Sequence, residues 1–220
     1  YKGDKNDPQR HFIDMVNFAD KMVGQIIKQL ETSGVRENTI LIFTGDNGTD
    51  KPIITPWKGT KVVGGKGSMT DTGTRVPLIV SWPAGIKKPG RVSDELVEFS
   101  DMMPTLCEIS GAVLPKNHPA DGASIVPALQ NKKELRKKDW IYIWYRDQVM
   151  VRNKKYSLLA KLTRYKGQFN GKELTDQKMN KTERKIKEEF EGILAEMAKT
   201  RLSTASKEGK AMGLKNKSNR

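Results

Sequence analysis

The segment that decides the fold is ENTILIFTGDNG, which spans residues 37–48. Within it, residues 39–44 form a short, continuous run of β-branched and apolar side chains, and a glycine-containing turn follows directly. Because the run is continuous rather than alternating, it predicts a strand covered on both faces, as in a parallel sheet with helices on either side. A buried strand followed by such a loop is typical of an α/β domain.

A long amphipathic helix is predicted before this strand, over residues 11–30. Its apolar side chains recur at spacings of three and four residues, which places them on one face, and Gly34 is expected to end the helix. After the strand, residues 76–82 predict a second buried strand, and residues 100–110 predict a helix with Ser100 as its N-cap. The apolar stripe predicted for the first helix comprises Phe12, Met15, Val16, Ala19, Met22, Val23, Ile26, Ile27 and Leu30.

The composition changes at a charged linker, residues 132–138. Beyond it, residues 140–145 and 156–162 predict strands of a smaller sheet, and the short connection between them favours antiparallel pairing. Asn180 and Glu183 have the spacing of a capping box, which predicts the start of a last helix. The expected organisation is an α/β core (residues 1–135), a small C-terminal subdomain (residues 136–202) and a basic flexible tail (residues 203–220).

Positive charge is concentrated in the last third of the chain. Residues 148–220 hold 19 Lys and Arg against 8 Asp and Glu, whereas residues 1–147 hold 21 against 18, and the net charge is +14. This distribution favours anionic partners, but no motif of a nucleic-acid reader accompanies the charge, so no nucleic acid partner is expected. No apolar run approaches the length of a bilayer span, so no membrane span is predicted.

One cysteine and two histidines exclude several kinds of site. Because Cys107 is the single cysteine, the chain can form neither an internal disulfide nor a cysteine-built zinc site. Because there are only two histidines, His11 and His118, a three-histidine metal centre is also excluded. Cys107 lies in the middle of a predicted helix, where we interpret it as a buried apolar thiol. His11 and His118 are expected to be surface residues.

Two glycine-containing clusters hold the side chains that suit chemistry. In TGDNG (residues 44–48), Asp46 and Asn47 place a carboxylate beside an amide oxygen at the carboxyl end of a strand, where ligands bind in open α/β sheets. These oxygens suit Ca²⁺ or Mg²⁺, although an ordinary Asn-Gly turn would also explain the motif. In GGKG (residues 64–67), Lys66 either approaches an anionic oxygen or is one surface lysine among many.

Four segments occur in a distinctive order: ENTILIFTGDNG (residues 37–48), GGKGSMTDTGTRVPLIVSWPAG (64–85), FSDMMPTLCEISGA (99–112) and DGASIVPAL (121–129). Together they resemble the sulfatase family of the alkaline-phosphatase-like superfamily. The resemblance implies an alkaline-phosphatase-like α/β fold, in which this chain is the C-terminal half of the domain. It would contain part of a central, mostly parallel sheet with flanking helices, followed by a small antiparallel sheet and a C-terminal helix.

The resemblance also implies a site that hydrolyses sulfate monoesters with one divalent cation, Ca²⁺ or else Mg²⁺. Asp46 and Asn47 would be two of its ligands, and Lys66 would be both the substrate-binding and the catalytic residue of this chain. A cation near the sulfate oxygens acts as a Lewis acid, and a fixed ammonium stabilises charge that develops on the leaving oxygen. The expected substrates are sulfated small molecules or sulfated glycans, and family habit predicts a secreted or periplasmic protein.

The sequence departs from the family pattern at the nucleophile. The family uses a formylglycine made within a C/S-x-P-x-R motif, and the 220 residues contain no such motif. We therefore expect the missing N-terminal half of the sulfatase domain as a partner, and no turnover by the chain alone.

Two alternative functions stay open. One is a phosphomonoester or phosphonate hydrolase of the same superfamily, and the other is a non-catalytic module whose basic last third binds sulfated glycans, with Trp140, Trp144 and Tyr145 near Arg146 as stacking faces.

Overall fold

The computed structural model describes residues 6–114, 116, 121–132, 138–146, 148–159, 161–166 and 169–211. His118, residues 133–137 of the charged linker and residues 212–220 of the tail lie outside this set, so what we predict for them stays a prediction. The chain divides into two compact units, Tyr1–Asp139 and Trp140–Arg220, which are described one at a time.

The first unit begins with a 25-residue helix. Asp7 caps this helix, because its Oδ1 accepts a hydrogen bond from the Arg10 N–H at 3.0 Å, and Gly34 follows its end in the left-handed region at φ 70°. The helix predicted over residues 11–30 is therefore confirmed and is longer at both ends. In chain order this unit contains α1 (Pro8–Thr32), β1 (Leu41–Thr44), β2 (Ile54–Trp57), β3 (Thr60–Val63), α2 (Asp71–Thr74), β4 (Leu78–Ser81), α3 (Met102–Ser110) and α4 (Val126–Leu129).

The two predicted buried strands, β1 and β4, pair directly with each other. Leu41 lies opposite Ser81 and Thr44 opposite Leu78, in antiparallel register. We predicted both strands as buried members of a mostly parallel sheet, but here they pair antiparallel, and no parallel pair occurs among the described residues. A continuous apolar run indicates that both faces of a strand suit burial, but it does not encode strand direction.

Much of the apolar surface of the first unit is open. The helix α1 has no buried residue, and Met15 and Phe18 on it are 58% and 61% exposed. The sheet is open as well, since Ile79 on β4 is 61% exposed. Other exposed apolar side chains of α1, β1 and α3 are Ile13, Val16, Ile26, Phe43, Met103 and Leu106.

The helix α3 is preceded by a capping box that uses carboxylates rather than a hydroxyl. The Glu98 N–H donates to Asp101 Oδ2 at 2.9 Å, and the Glu98 side chain accepts from the Asp101 N–H in return. Glu98 is therefore the capping residue of the turn Phe99–Asp101, and the N-cap role that we predicted for Ser100 is wrong. Asp101, fully buried, also accepts from the Ala123 N–H at 2.7 Å. Cys107 lies within α3 as predicted but is only partly buried.

The second unit is a five-stranded antiparallel sheet packed against a long helix, which confirms the predicted small sheet and C-terminal helix. Residues 156–162, predicted as one strand, instead contain β7 and the first residue of β8, and Leu158 lies opposite Leu162 in an antiparallel pair. The core consists of Val151, Leu158, Leu174, Met179 and Phe190. The elements are β5 (Ile141–Tyr145), β6 (Gln148–Arg152), β7 (Tyr156–Leu158), β8 (Leu162–Lys166), β9 (Phe169–Glu173) and α5 (Lys181–Ala211).

The capping box predicted for the last helix is present. The Glu183 N–H donates to Asn180 Oδ1 and the Asn180 N–H donates to Glu183 Oε2, both at 3.0 Å. The helix α5 continues to Ala211, so residues 203–211, which we predicted to be part of the tail, are helical. Once a helix is nucleated, alanine, leucine, lysine and glutamate propagate it well, and residues 202–211 are rich in them. None of the described helices is long and apolar enough to cross a bilayer.

Candidate functional site

The candidate residues lie in two loops of the first unit. Asp46 and Asn47 follow the last residue of β1, and Lys66 follows the end of β3. Asp46 and Lys66 are exposed, whereas Asn47 is half-buried. These side chains are therefore available to a ligand from solvent, at loops that begin where strands end.

Backbone hydrogen bonds join the two loops that the sequence keeps apart. The Gly48 N–H donates to the Gly73 carbonyl at 2.9 Å, and the Lys66 N–H donates to the Thr49 carbonyl at 2.9 Å. The residue next to Asn47 is thus bonded to the turn after Lys66, and Lys66 itself is bonded to the segment after Asn47. We define this loop cluster as residues 44–50 and 64–75. The two sequence clusters that we singled out form one structural feature.

Glycines make this close approach possible. A Cβ at Gly48 would lie 1.9 Å from the Thr72 carbonyl oxygen, and a Cβ at Gly65 would lie 2.2 Å from Thr72 Oγ1. Both distances are far inside van der Waals contact, so any larger side chain would force the loops apart. Gly45 differs, because the nearest atom to its Cβ would be Val76 Cβ at 3.5 Å, an ordinary contact.

Hydroxyl groups hold the Lys66 loop in a fixed shape. Ser68 Oγ donates to the Gly65 carbonyl at 2.7 Å and lies 2.7 Å from Thr70 Oγ1, which lies 3.1 Å from Thr72 Oγ1. A loop whose polar groups are bonded internally keeps its side chains in place. Within the described residues, no carboxylate forms an ion pair with the Lys66 ammonium, which leaves it available to an external anion.

The oxygen donors of the cluster fit a hard divalent cation in chemical type. Asp46 Oδ1 accepts a hydrogen bond from the Asn47 N–H at 2.9 Å, which leaves Oδ2 and the Asn47 amide oxygen as neighbouring donors. No group of three or more His, Cys, Asp and Glu side chains is placed to hold a metal ion in the part of the chain that the structure describes. These two residues would therefore supply a minority of the ligands of a calcium site.

One feature near the loop cluster was not predicted from the sequence. Strands β2 and β3 form an exposed hairpin between the two loops, with Trp57 opposite Thr60. The turn residues Lys58 and Gly59 have φ angles of 47° and 80°, the left-handed pair that a two-residue hairpin turn requires. A lysine-glycine dipeptide between two β-prone segments was the signal available in the sequence.

Two family models match the chain. One describes the sulfatase family and matches residues 2–112. The other describes the C-terminal region of N-sulphoglucosamine sulphohydrolase and matches residues 64–207. Each of them covers at least half of the 220 residues.

Curated relatives agree with the family models. A sulfatase of Formosa agariphila is 33% identical over 175 residues, which are 72% of this chain and 31% of the relative. The steryl-sulfatase of Mus musculus is 30% identical over 136 residues, which are 59% of this chain and 22% of the relative. The chain spans about a fifth to a third of the length of these relatives.

Solved structures show the same fold. Ps i-CgsB superposes with a TM-score of 0.61 at 26% identity, over 73% of this chain and 37% of that one, and it has also been solved with k-i-k-neocarrahexaose. A protein in complex with its substrate D-glucosamine-2-N,6-O-disulfate superposes at 0.57 and 23% identity, over 84% and 39%. Phosphonate monoester hydrolase from Silicibacter pomeroyi superposes at 0.54 and 19%, over 84% and 38%. The last two show the fold alone.

The solved structures confirm the predicted α/β fold of the alkaline-phosphatase-like type, and the family models and the Formosa relative confirm the family resemblance read from the sequence. Both family models include the loop of Lys66, and the first also includes Asp46 and Asn47. The chain therefore belongs to the sulfatase family.

Proposed function

We propose that this chain supplies one side of a divalent-cation-dependent site that hydrolyses sulfate monoesters. In this site Asp46 and Asn47 bind the cation, and Lys66 binds the sulfate group. The observation that carries the proposal is the hydrogen bond from the Lys66 N–H to the Thr49 carbonyl at 2.9 Å, which fixes the lysine loop against the loop of the two oxygen donors.

Calcium is the cation we favour, with magnesium as the alternative. Ca²⁺ accepts carboxylate and amide oxygens in irregular geometry, whereas Mg²⁺ demands a regular octahedron. When bound, the cation would polarise the sulfate oxygens as a Lewis acid. With only Asp46 and Asn47 from this chain, affinity should be weak, because it rises with the number and charge of the ligands.

The role of Lys66 is to meet negative charge. Its ammonium is a compact cation on a flexible stem, and the bonded loop fixes the position from which that stem extends. Contact with the sulfate orients the ester, and contact with the leaving oxygen stabilises the charge that develops as the S–O bond breaks. Removing one such donor costs roughly 100- to 1,000-fold in rate in other hydrolytic sites.

The nucleophile comes from outside these 220 residues. The sequence contains no C/S-x-P-x-R motif, so a formylglycine of the kind that the family uses has no position here. The chain alone therefore does not turn over sulfate esters. Turnover requires the other half of a sulfatase domain, which would also provide the remaining ligands of the cation.

The exposed apolar side chains of α1, β1 and β4 are the surface that this other half covers. Phe18 and Ile79 are each 61% exposed, and open apolar areas of this kind mark interaction surfaces. The chain covers 42% and 37% of two solved structures that it superposes on, which leaves room for a partner segment of the same domain. An α/β segment with an apolar face is the occupant that fits.

The experiment compares the 220-residue chain with the native protein purified from its source. Both are assayed with 4-nitrophenyl sulfate and 4-nitrophenyl phosphate, once with added calcium and once with calcium removed by a chelator, and the intact mass of the native protein is measured. We expect no sulfate hydrolysis by the 220-residue chain and calcium-dependent sulfate hydrolysis by a larger native protein. Hydrolysis by the 220 residues alone contradicts the assignment of the nucleophile, and a preference for the phosphate ester contradicts the assignment of the substrate.

A further inference from the structure

The hairpin of β2 and β3 projects from the loop cluster and presents an aromatic and basic surface. Every residue of 54–63 is exposed except Val62, which is half-buried. Trp57 at the tip is 44% exposed, and the Lys58 ammonium lies 5.7 Å from the centroid of its ring. An isolated two-stranded ribbon with both faces open gains little from packing, so these side chains call for a functional explanation.

The base of the hairpin is fixed to the candidate site. Ile53, just before β2, is 5% exposed, and its carbonyl accepts from the Gly64 N–H at 2.9 Å. The Ile54 N–H donates to Gln9 Oε1 of α1 at 2.8 Å. Gly64 lies two residues before Lys66, so the hydrogen bond that closes the base of the hairpin also anchors the start of the lysine loop.

The tip of the hairpin is held in shape without being covered. Thr60 Oγ1 donates to the Trp57 carbonyl at 2.8 Å, which closes the turn. Four residues per strand span about 13 Å, so the tip lies well away from the base. A small ester held at Lys66 does not cover this length, whereas a chain of several sugar rings does.

The chemistry of the hairpin favours an anionic, ring-containing ligand over a protein. An indole face stacks on flat or apolar ring surfaces, and Lys58 and Lys61 attract negative charge. The cores of protein interfaces are depleted of lysine, yet Lys58 follows Trp57 in the turn and Lys61 lies on β3 opposite Pro56. The described hairpin carries no acidic residue within β2, the turn or β3.

We propose that the hairpin of residues 54–63 is a binding arm for sulfated oligosaccharides, in which Trp57 stacks on a sugar ring and Lys58 and Lys61 pair with sulfate groups beyond the one that is hydrolysed. This inference rests on the proposed function for its choice of substrate class. It assigns a specificity-determining element that acts on long substrates and leaves small sulfate esters unaffected.

The test measures binding to the full 220-residue chain by titration calorimetry, which needs no turnover. The probes are neocarrahexaose and a heparin-derived hexasaccharide, each with a desulfated counterpart. We expect Trp57→Ala to weaken binding of at least one sulfated hexasaccharide about tenfold, and Trp57→Phe to retain most of the affinity. The Lys58→Ala, Lys61→Ala double variant should weaken binding and its dependence on salt.

The matched control is Trp144→Ala in β5 of the second unit. Trp144 is 52% exposed, comparable to Trp57, and lies one residue from a Tyr145–Arg146 contact of 5.1 Å. We expect this variant to bind the hexasaccharides like the wild type. A loss with Trp144→Ala but not with Trp57→Ala overturns the proposal and supports glycan binding by the basic last third. Absence of binding to both sulfated probes, or equal binding of the desulfated ones, also overturns it.

Failure of this inference is distinguishable from failure of the proposed function. Hexasaccharide binding that depends on Trp57, without sulfate hydrolysis by the native protein, contradicts the function and leaves the arm in place. If the native protein hydrolyses sulfate esters and Trp57→Ala binds the hexasaccharides normally, the proposed function is supported and the binding arm is rejected. Trp57 could also be exposed in the single chain because a second copy of the chain packs on it. In that case Trp57→Ala changes the oligomeric state in equilibrium sedimentation and leaves the sugar affinity unchanged, which rejects the proposal.

Discussion

Replacement of Gly48 by alanine tests whether the loop cluster depends on close backbone contact. The added Cβ would lie 1.9 Å from the Thr72 carbonyl oxygen and 2.7 Å from Gly73 Cα. A carbon and an oxygen need more than 3 Å, so one loop must move by more than an ångström. Overpacking of this kind costs about 2–3 kcal/mol. Because the obstacle is backbone on both sides, no side-chain rotation relieves it.

The assay is native-state hydrogen exchange at the two amides that join the loops. The Gly48 N–H bonds to the Gly73 carbonyl and the Lys66 N–H bonds to the Thr49 carbonyl, so their exchange reports opening of the cluster. A cost of about 2–3 kcal/mol corresponds to roughly 30- to 150-fold faster exchange of the Lys66 amide. The amide of residue 48 itself is compared only between variants that retain glycine there.

Gly45→Ala is the matched control, because it adds the same methyl group to the same loop. Its Cβ would lie 3.5 Å from Val76 Cβ, with no closer atom. We expect stability within about 0.5 kcal/mol of the wild type, or slightly higher, because alanine reduces the entropy of the unfolded chain. If the Lys66 amide exchanges at the same rate in Gly48→Ala and Gly45→Ala, the reasoning is refuted, whether that rate is faster or slower than in the wild type.

Three further predictions concern the second unit and are read as changes in unfolding of the full chain. Phe190→Ala, at a side chain only 2% exposed in the core, should lower the free energy of unfolding by about 4 kcal/mol, whereas Glu191→Ala should change it little. Asn180→Ala removes the cap that accepts the Glu183 N–H at 3.0 Å and should cost about 1 kcal/mol in urea denaturation. The hydrogen bond from Lys187 lowers the pKa of Asp176 below its ordinary 3.8, so this pair stabilises the fold above that pH and the benefit is lost as the pH falls through the lowered pKa. Asp176→Asn should therefore lower the Tm at about pH 7, and this effect should shrink as the pH falls below 3.8; an effect that does not shrink would contradict the assignment.

The sequence predicted the elements whose signals are local. The capping box of Asn180 and Glu183 formed as expected, since its bonds join residues only three apart. The stripe of α5 was also predictable, because a 3.6-residue period identifies the face that packs on the sheet, where Phe190 lies. Ser100 is not an N-cap because the helical turn begins earlier, at Phe99, so that Glu98 occupies the capping position and Ser100 lies inside the turn.

Features that depend on long-range contacts were harder to predict. The antiparallel pairing of β1 with β4 joins residues about 40 positions apart, and an apolar run carries no information on direction. The candidate residues Asp46, Asn47 and Lys66 were found from their chemistry and from family resemblance. Their association through Gly48 and Thr49 needed the structure, because a glycine that permits close approach looks like any turn glycine in the sequence.

The hairpin around Trp57 was missed for a related reason. Its strands are only four residues long and exposed on both faces, so neither alternation nor a continuous apolar run marks them. The lysine-glycine turn was the remaining signal, and it is weaker than the Asn-Gly or Asp-Gly pair that two-residue hairpins favour.

The central claim is that Asp46 and Asn47 bind a divalent cation beside Lys66. The most direct test follows the Tm of the 220-residue chain during a calcium titration, in the wild type, Asp46→Asn and Asp50→Asn. Asp50 is the matched control, because its Oδ1 accepts from the Lys51 N–H at 2.9 Å just as Asp46 Oδ1 accepts from the Asn47 N–H. The two substitutions therefore disturb the backbone alike.

With a dissociation constant of about 1 mM, calcium at about 20 mM stabilises the chain by about 1.8 kcal/mol, which raises the Tm by about 5 °C. We predict this rise in the wild type and in Asp50→Asn, and its loss in Asp46→Asn. A rise that survives in Asp46→Asn, or a titration that leaves the wild type unchanged, would exclude Asp46 and Asn47 as cation ligands.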